Sequence, residues 1–201
     1  MQKTIVGSFD SFDHAYRVVD DLKRAGFLES DTSIIASNVD GTYREDQRPA
    51  VRPSEPDTSS TAAKGAVAGA VVGGGAGLAA SLAGLAIPGI GPIIAAGPIV
   101  ATLAGAGTGA VAGGLIGGLV DLGVPEEHAE YYAEAVRRGG AIVTVRTDEI
   151  RANEAASIMR DHGAFDIEQR VERWRGEGWN RFDPAAPVYS VDDVRREREL
   201  R

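Results

Sequence analysis

Apolar residues in this chain follow three rhythms, and each predicts a different element. Short β-type runs occur at Thr4 to Phe9, with Ile5 and Val6, at Thr32 to Ala36, and at Ala141 to Val145. The last run, Ala-Ile-Val-Thr-Val, is apolar enough for a central strand. Helical spacing appears in Ala15, Val18, Val19 and Leu22, behind a cap at Asp10 or Ser11 and ahead of a stop at Gly26. It returns in Ala129, Tyr132, Ala133 and Val136, between Pro125-Glu126 and Gly139-Gly140. A third helix is predicted from a cap at Thr147 or Asp148 to Gly163, with Ala152, Ala155, Ala156 and Met159 on one face. Ile167, Gln169 and Val171 alternate, so Phe165 to Val171 reads as a last strand.

The third rhythm is glycine. Gly65, Gly69, Gly73 and Gly77 stand four apart, and Gly105, Gly109, Gly113 and Gly117 repeat the pattern. Spacing of four keeps residues on one helical face, so each run gives a stripe without side chains. Such stripes allow close backbone approach, as small-xxx-small motifs do in membrane helix pairs. Two helices, about 62–86 and 98–122, joined by Ile87-Pro88-Gly89-Ile90-Gly91-Pro92, are therefore expected to form a glycine-zipped hairpin.

Without that insert the order is β-α-β followed by β-α-β. This predicts an α+β, ferredoxin-like split βαβ sandwich carrying an inserted Gly/Ala-rich helical hairpin. The divisions are 1–40, the first half of the α+β domain; 41–61, a flexible linker with Pro49, Pro53 and Pro56; and 62–123, the hairpin. Then come 124–171, a helix and the second half, and 172–201, an extension with Trp174 and Trp179. The tryptophans are read as a cover for the open side of the sheet, with membrane anchoring as the alternative. Tyr132 is expected to pack inward, with Tyr131 at an interface. The stretch from Asp192 is expected to be a short exposed helix, with Asp192–Arg196 and Glu197–Arg201 at i,i+4 spacing.

Charge sharpens the picture. The chain of 201 residues has a formal net charge of −8, which argues against general nucleic-acid binding. No charged residue lies between Lys64 and Asp121, and 18 of the 26 glycines fall between Gly65 and Gly123. There is no cysteine, hence no disulfide, thiolate metal site or cysteine nucleophile. No cleavable signal peptide is visible in the first residues.

Motifs for chemistry are missing. Gly73-Gly74-Gly75-Ala76-Gly77 is followed by Leu78, not by the Lys-Ser/Thr of a phosphate loop. His14, His128 and His162 share no close spacing, so they read as exposed helix residues and not metal ligands. No serine lies in a Gly-x-Ser-x-Gly elbow. The expectation is a non-enzymatic protein without cofactor or metal.

A helix of about 25 residues spans about 37 Å, more than the roughly 30 Å hydrocarbon thickness. Yet Ala66 to Ile87 holds only seven Val, Leu or Ile. These are worth about −2 to −4 kcal/mol on an insertion scale, so insertion is marginal without pairing. Two readings follow. One places the hairpin in a membrane, in contact with lipid, with both flanks on the same side because one domain is assembled from both. The other makes a soluble cytoplasmic homo-oligomer whose hairpins bundle and whose ferredoxin-like domain senses a small ligand. Self-association is common to both.

Thr4-Ile5-Val6-Gly7-Ser8-Phe9, the helix through Ala15 and Leu22, and Gly123-Val124-Pro125-Glu126-Glu127, with Tyr131-Tyr132 and Val136-Arg137-Arg138-Gly139-Gly140, resemble the bacterial general stress protein 17M-like family. This family is also called the YflT-type heat-induced stress proteins. The resemblance covers about residues 1–170 and includes the Ile-Pro-Gly-Ile-Gly-Pro centre of the insert. It implies a role in the general stress response and brings no catalytic residues.

Overall fold

The computed structural model describes residues 2–42, 83–100, 103 and 111–200. Among these it has five strands and six helices. The strands are β1 (Gln2–Phe9), β2 (Thr32–Ser37), β3 (Ala83–Ile87), β4 (Gly91–Ala96) and β5 (Ala141–Asp148). The helices are α1 (Phe12–Arg24), α2 (Val111–Asp121), α3 (Glu126–Arg137), α4 (Glu149–Asp161), α5 (Ile167–Gly176) and α6 (Val191–Glu199).

The strands form one antiparallel sheet in the order β1-β5-β2-β4-β3. β5 lies between β1 and β2, and Ile34 of β2 stands opposite both Val143 and Ala96. Alternation of side chains along each strand divides the apolar residues between two faces. Ile34, Ala36, Ile94, Ala96, Val143 and Val145 meet α1 and α4. Ile35, Ile93, Ala95 and Ile142 meet α2 and α3 through Leu115, Leu119, Ala129, Ala133 and Val136. With both faces buried, the central strands need no polar alternation, which explains their continuous apolar runs.

The predicted local signals for three helices hold. Ser11 caps α1 by accepting from the His14 amide, and Ala15, Val18, Val19 and Leu22 are its buried face. Gly26 follows at φ 86°. Asp148 caps α4, whose Ala152, Ala155 and Met159 are buried. α3 starts directly after Pro125.

Three expectations are corrected. First, residues 83–87 and 91–96 are strands, not the end of one hairpin helix and the lead into another. The Pro-Gly turn is where it was expected, but it joins β3 to β4. Isoleucine-rich β4 completes the exposed edge of β2, so backbone groups that an isolated apolar helix would satisfy internally are satisfied by the ladder. Among the described residues of the insert, helical conformation is found at residues 99–100 and 103 and in α2, while 62–82 of the first expected helix and the linker 43–61 lie outside the described residues. Gly97 has φ 90°, and a Cβ there would run into the Thr32 carbonyl oxygen, so the exit from β4 requires glycine.

Second, the stretch expected as a last strand contributes a single bridge, Phe165 to Ser8, and then becomes α5. Asp166 caps it through the Glu168 amide at 2.9 Å. Ile167, Val171 and Trp174 share one buried helical face, and this longer pattern overrides the two-residue alternation. Third, α2 and α3 close the second face of the sheet, so Trp174 and Trp179 do not cover it. They pack edge to face, with centroids 6.0 Å apart, on the outer side of α3.

Candidate functional site

Of the eight stripe glycines, Gly65, Gly69, Gly73, Gly77, Gly105 and Gly109 lie outside the described residues. Gly113 and Gly117 are in α2. The inward face of α2 carries Leu115 and Leu119, both fully buried, with Gly114 and Gly118 also buried. Gly117 is half-buried, and a Cβ added there would meet no atom within 4 Å. Close by in helical spacing, Val120 is 41% exposed. Among the described residues the outer side of α2 is thus apolar and uncharged up to Val120, and nothing meets a Cβ placed at Gly117.

A second constellation, on the far side of α3, was not anticipated. Glu134, in the middle of α3, is completely buried, and Arg138 directly after the helix is 6% exposed. The Arg138 Nε donates to Glu134 Oε1 at 2.7 Å. Its Nη1 donates to Glu177 Oε2 and to Glu197 Oε2, each at 3.1 Å. Glu197, on α6, also accepts from Arg173 and from the Trp174 indole N–H, the latter at 3.1 Å. The Arg138 guanidinium lies 4.7 Å from the Trp174 ring and 5.6 Å from the Tyr189 ring. Burial opposes its charge, but the hydrogen bond and charge of Glu134, reinforced by Glu197, hold its pKa above the ordinary arginine value.

This clasp explains the C-terminal extension. α6 is not merely an exposed helix: Val194 and Glu197 are buried. Its surface ion pairs include Asp192–Arg195 and Asp193–Arg196 at i,i+3 in place of the expected Asp192–Arg196, while Arg201 of the other expected pair lies outside the described residues. Val194 sits against Gly139, whose φ of 88° and missing Cβ make room for it. The signals for the clasp were present in the sequence: Glu134 and Arg138 are one helical turn apart, and Ser190-x-x-Asp193 forms a capping box. Nothing in one helix alone, however, says that a glutamate will be turned inward.

Next to the clasp, residues of α3, the 187–189 segment and α6 line a cavity of about 430 Å³. Arg137 reaches it with its guanidinium 4.9 Å from the Tyr189 ring.

Tyr131 is the more buried of the tyrosine pair, donating to Glu127 and accepting from Arg175 Nη2 at 2.8 Å. That bond to Tyr131, aided by Arg175, keeps the Glu127 carboxyl below its usual range. Tyr132 is half-buried between two apolar clusters, and burial pushes its hydroxyl up to about 12. His162 meets Asp21 at 2.6 Å and His128 meets Glu168 at 3.4 Å. Among the described residues no three His, Asp or Glu side chains form a group able to hold a metal ion. No helix among them is long and apolar enough to cross a membrane.

Comparison with protein-family models, with curated proteins and with solved structures gives no match in any of the three.

Proposed function

We propose that this chain is a non-enzymatic self-associating protein of the bacterial general stress type, in which a folded module presents a glycine-bearing apolar surface to other copies. The observation that carries the reading is the outer side of α2. Among the described residues a Cβ at Gly117 would meet nothing within 4 Å, Val120 is exposed, and no charge occurs from Gly65 to Val120 in the sequence. A glycine on an open helix face suits close approach of a second backbone. An apolar face of this kind on a soluble module marks an interaction site.

In this reading the core is a ferredoxin-like split βαβ unit, β1-α1-β2 around β5, extended by the β3–β4 hairpin. The rest of the glycine-rich insert supplies the zipper. The inner membrane, with the folded flanks in the cytoplasm, is the proposed place of assembly. The alternative of a ligand on an open sheet face loses support, since helices cover both faces of the sheet among the described residues.

The test is fractionation and sizing of the native protein. Sedimentation with membranes that resists a high-salt wash, and a detergent-sensitive oligomer by light scattering, are the expected results. Full recovery as a monomer without detergent would reject self-association. A soluble oligomer recovered without detergent would reject the membrane alone.

A further inference from the structure

The two arginines at the end of α3 are used differently. Arg138 is saturated by Glu134, Glu177 and Glu197. Arg137 makes one long hydrogen bond, 3.4 Å from Nη1 to Glu134, and its buried Nε has no partner among the described residues. An arginine fork desolvated to 11% side-chain exposure with one weak contact is an unmet donor set. It opens on the 430 Å³ cavity, a volume toward the small end of ligand sites, which run from about 300 to 1,000 Å³.

The carboxylates around that cavity already have partners. Glu177 and Glu197 are held by Arg138, and Asp193 by Ser190 and Arg196. The remaining wall is apolar, with Val188 and Leu200 44% and 64% exposed at its mouth. We infer that the cavity binds a small monocarboxylate with a short hydrocarbon tail, its carboxylate on the Arg137 edge and its tail against Val188 and Leu200. A fork of parallel N–H groups matches a carboxylate in two-point contact. Tyr189, stacked on the guanidinium, fixes the plane of the fork. The lining arginines Arg138 and Arg196 are paired with the lining carboxylates Glu177, Glu197 and Asp193, so Arg137 alone has donors to offer, which suits one carboxylate and leaves the second charge of a dianion such as phosphate without a partner.

The inference is independent of self-association and is tested on the full chain in carboxylate-free buffer. Hexanoate, hexanol and inorganic phosphate are titrated by calorimetry, with tryptophan fluorescence as a second signal. Saturable hexanoate binding is expected, with hexanol about tenfold or more weaker, the worth of a charge-assisted hydrogen bond. Arg137→Gln should lower hexanoate affinity by about tenfold and leave hexanol unchanged, since Glu134 keeps Arg138. Leu200→Asp, at an exposed position, should also weaken hexanoate by placing a negative charge at the mouth, and it gives an answer even if Arg137→Gln fails to fold. Equal affinity for hexanol and hexanoate, preference for phosphate, no saturable hexanoate binding, or full affinity in either folded variant would overturn the assignment.

Discussion

Helix α2, uncharged before its last residue Asp121, and the charged stretch of residues 167–200 pack on opposite sides of α3, and they are held by different forces. On one side Ala129, Ala133 and Val136 meet Leu115 and Leu119 in a dry apolar cluster. On the other, Glu134 and Arg138 join α5 and α6 through buried ions, with the tryptophans filling the space around them. Apolar packing tolerates many partners, whereas an ion cluster accepts only the arrangement that pairs every charge. The comparison teaches where each region has freedom. The charged side is committed to one internal arrangement, while Gly117 and Val120 leave the outer face of α2 open among the described residues.

The sharpest way to break this contrast is to remove the hub of the charged side. Arg138→Ala leaves Glu134 and Glu197 buried without their main counter-ion. Removing one partner of a buried pair costs about 3–5 kcal/mol, so this is the largest loss expected. Urea unfolding would measure it. A cost near that of a surface substitution, about 0.5 kcal/mol, would mean that the apolar contacts of α5 and α6 hold the extension without the ions.

The uncharged side has its own critical position at Gly97. Its φ of 90° and the nearby Thr32 carbonyl leave no room for a Cβ. Gly97→Ala is expected to cost about 1–3 kcal/mol. Gly123→Ala, also at φ 90° but with nothing within 4 Å, isolates the conformational share and should cost less. Equal losses in equilibrium unfolding would show that the close approach of β4 to β2 contributes nothing.

A smaller effect on folding, but a larger one on assembly, is expected at the stripe. Gly117→Leu should change the stability of one copy by no more than about 0.5 kcal/mol, because the side chain enters open space. It should nevertheless reduce oligomer size, as should Gly73→Leu and Gly109→Leu, since overpacking a close contact costs about 1–3 kcal/mol. Light scattering decides. An unchanged assembly in all three would leave the four-residue spacing without a role. Gly118→Ala is the less useful control, since Gly118 is buried on the inward face.

How much of this was legible follows from the same contrast. Where polar and apolar residues alternate with a clear period, as in α1 and α4, the sequence predicted the element, its cap and its buried face. In 83–96 there is no polar residue to mark a period. Gly, Ala, Leu and Ile suit a helix or a strand there, and the choice fell to the unpaired edge of β2, which no local pattern reveals. Ile167, Gln169 and Val171 misled because the strand pattern ended before Trp174, the residue that completes the helical face. Glu134 and Glu197 read as solvent residues because charge normally faces water, and it is their shared partner Arg138, with Arg173 and Trp174 on Glu197, that holds them inward. Arg137 stands out in the sequence only as part of a family-like stretch, and the ring it lies over belongs to Tyr189, fifty-odd residues away in the chain.

The smallest effect concerns how α6 begins. Asp193 receives bonds from the Ser190 hydroxyl at 2.6 Å and the Ser190 amide at 2.9 Å, and it pairs with Arg196. These contacts, led by the Ser190 hydroxyl, bring its carboxyl down from 3.8 to about 2. A carboxyl depressed on folding adds stability that is complete above its unfolded pKa and lost as pH falls through the folded one. The contribution of Asp193 is therefore present above about pH 4 and disappears between that point and about pH 2. Following the Asp193 carboxyl carbon by NMR should give a midpoint near 2, moving upward in Ser190→Ala. The group is exposed, so global stability should hardly respond, and the readout is the midpoint itself. If Asp193 titrates near its ordinary value in the native chain, the capping box is open in solution. The position of α6 then rests on the Glu197 ion cluster, on Val194 against Gly139, and on the bonds of Arg198 to the Gly139 carbonyl and of Arg173 to the Leu200 carbonyl.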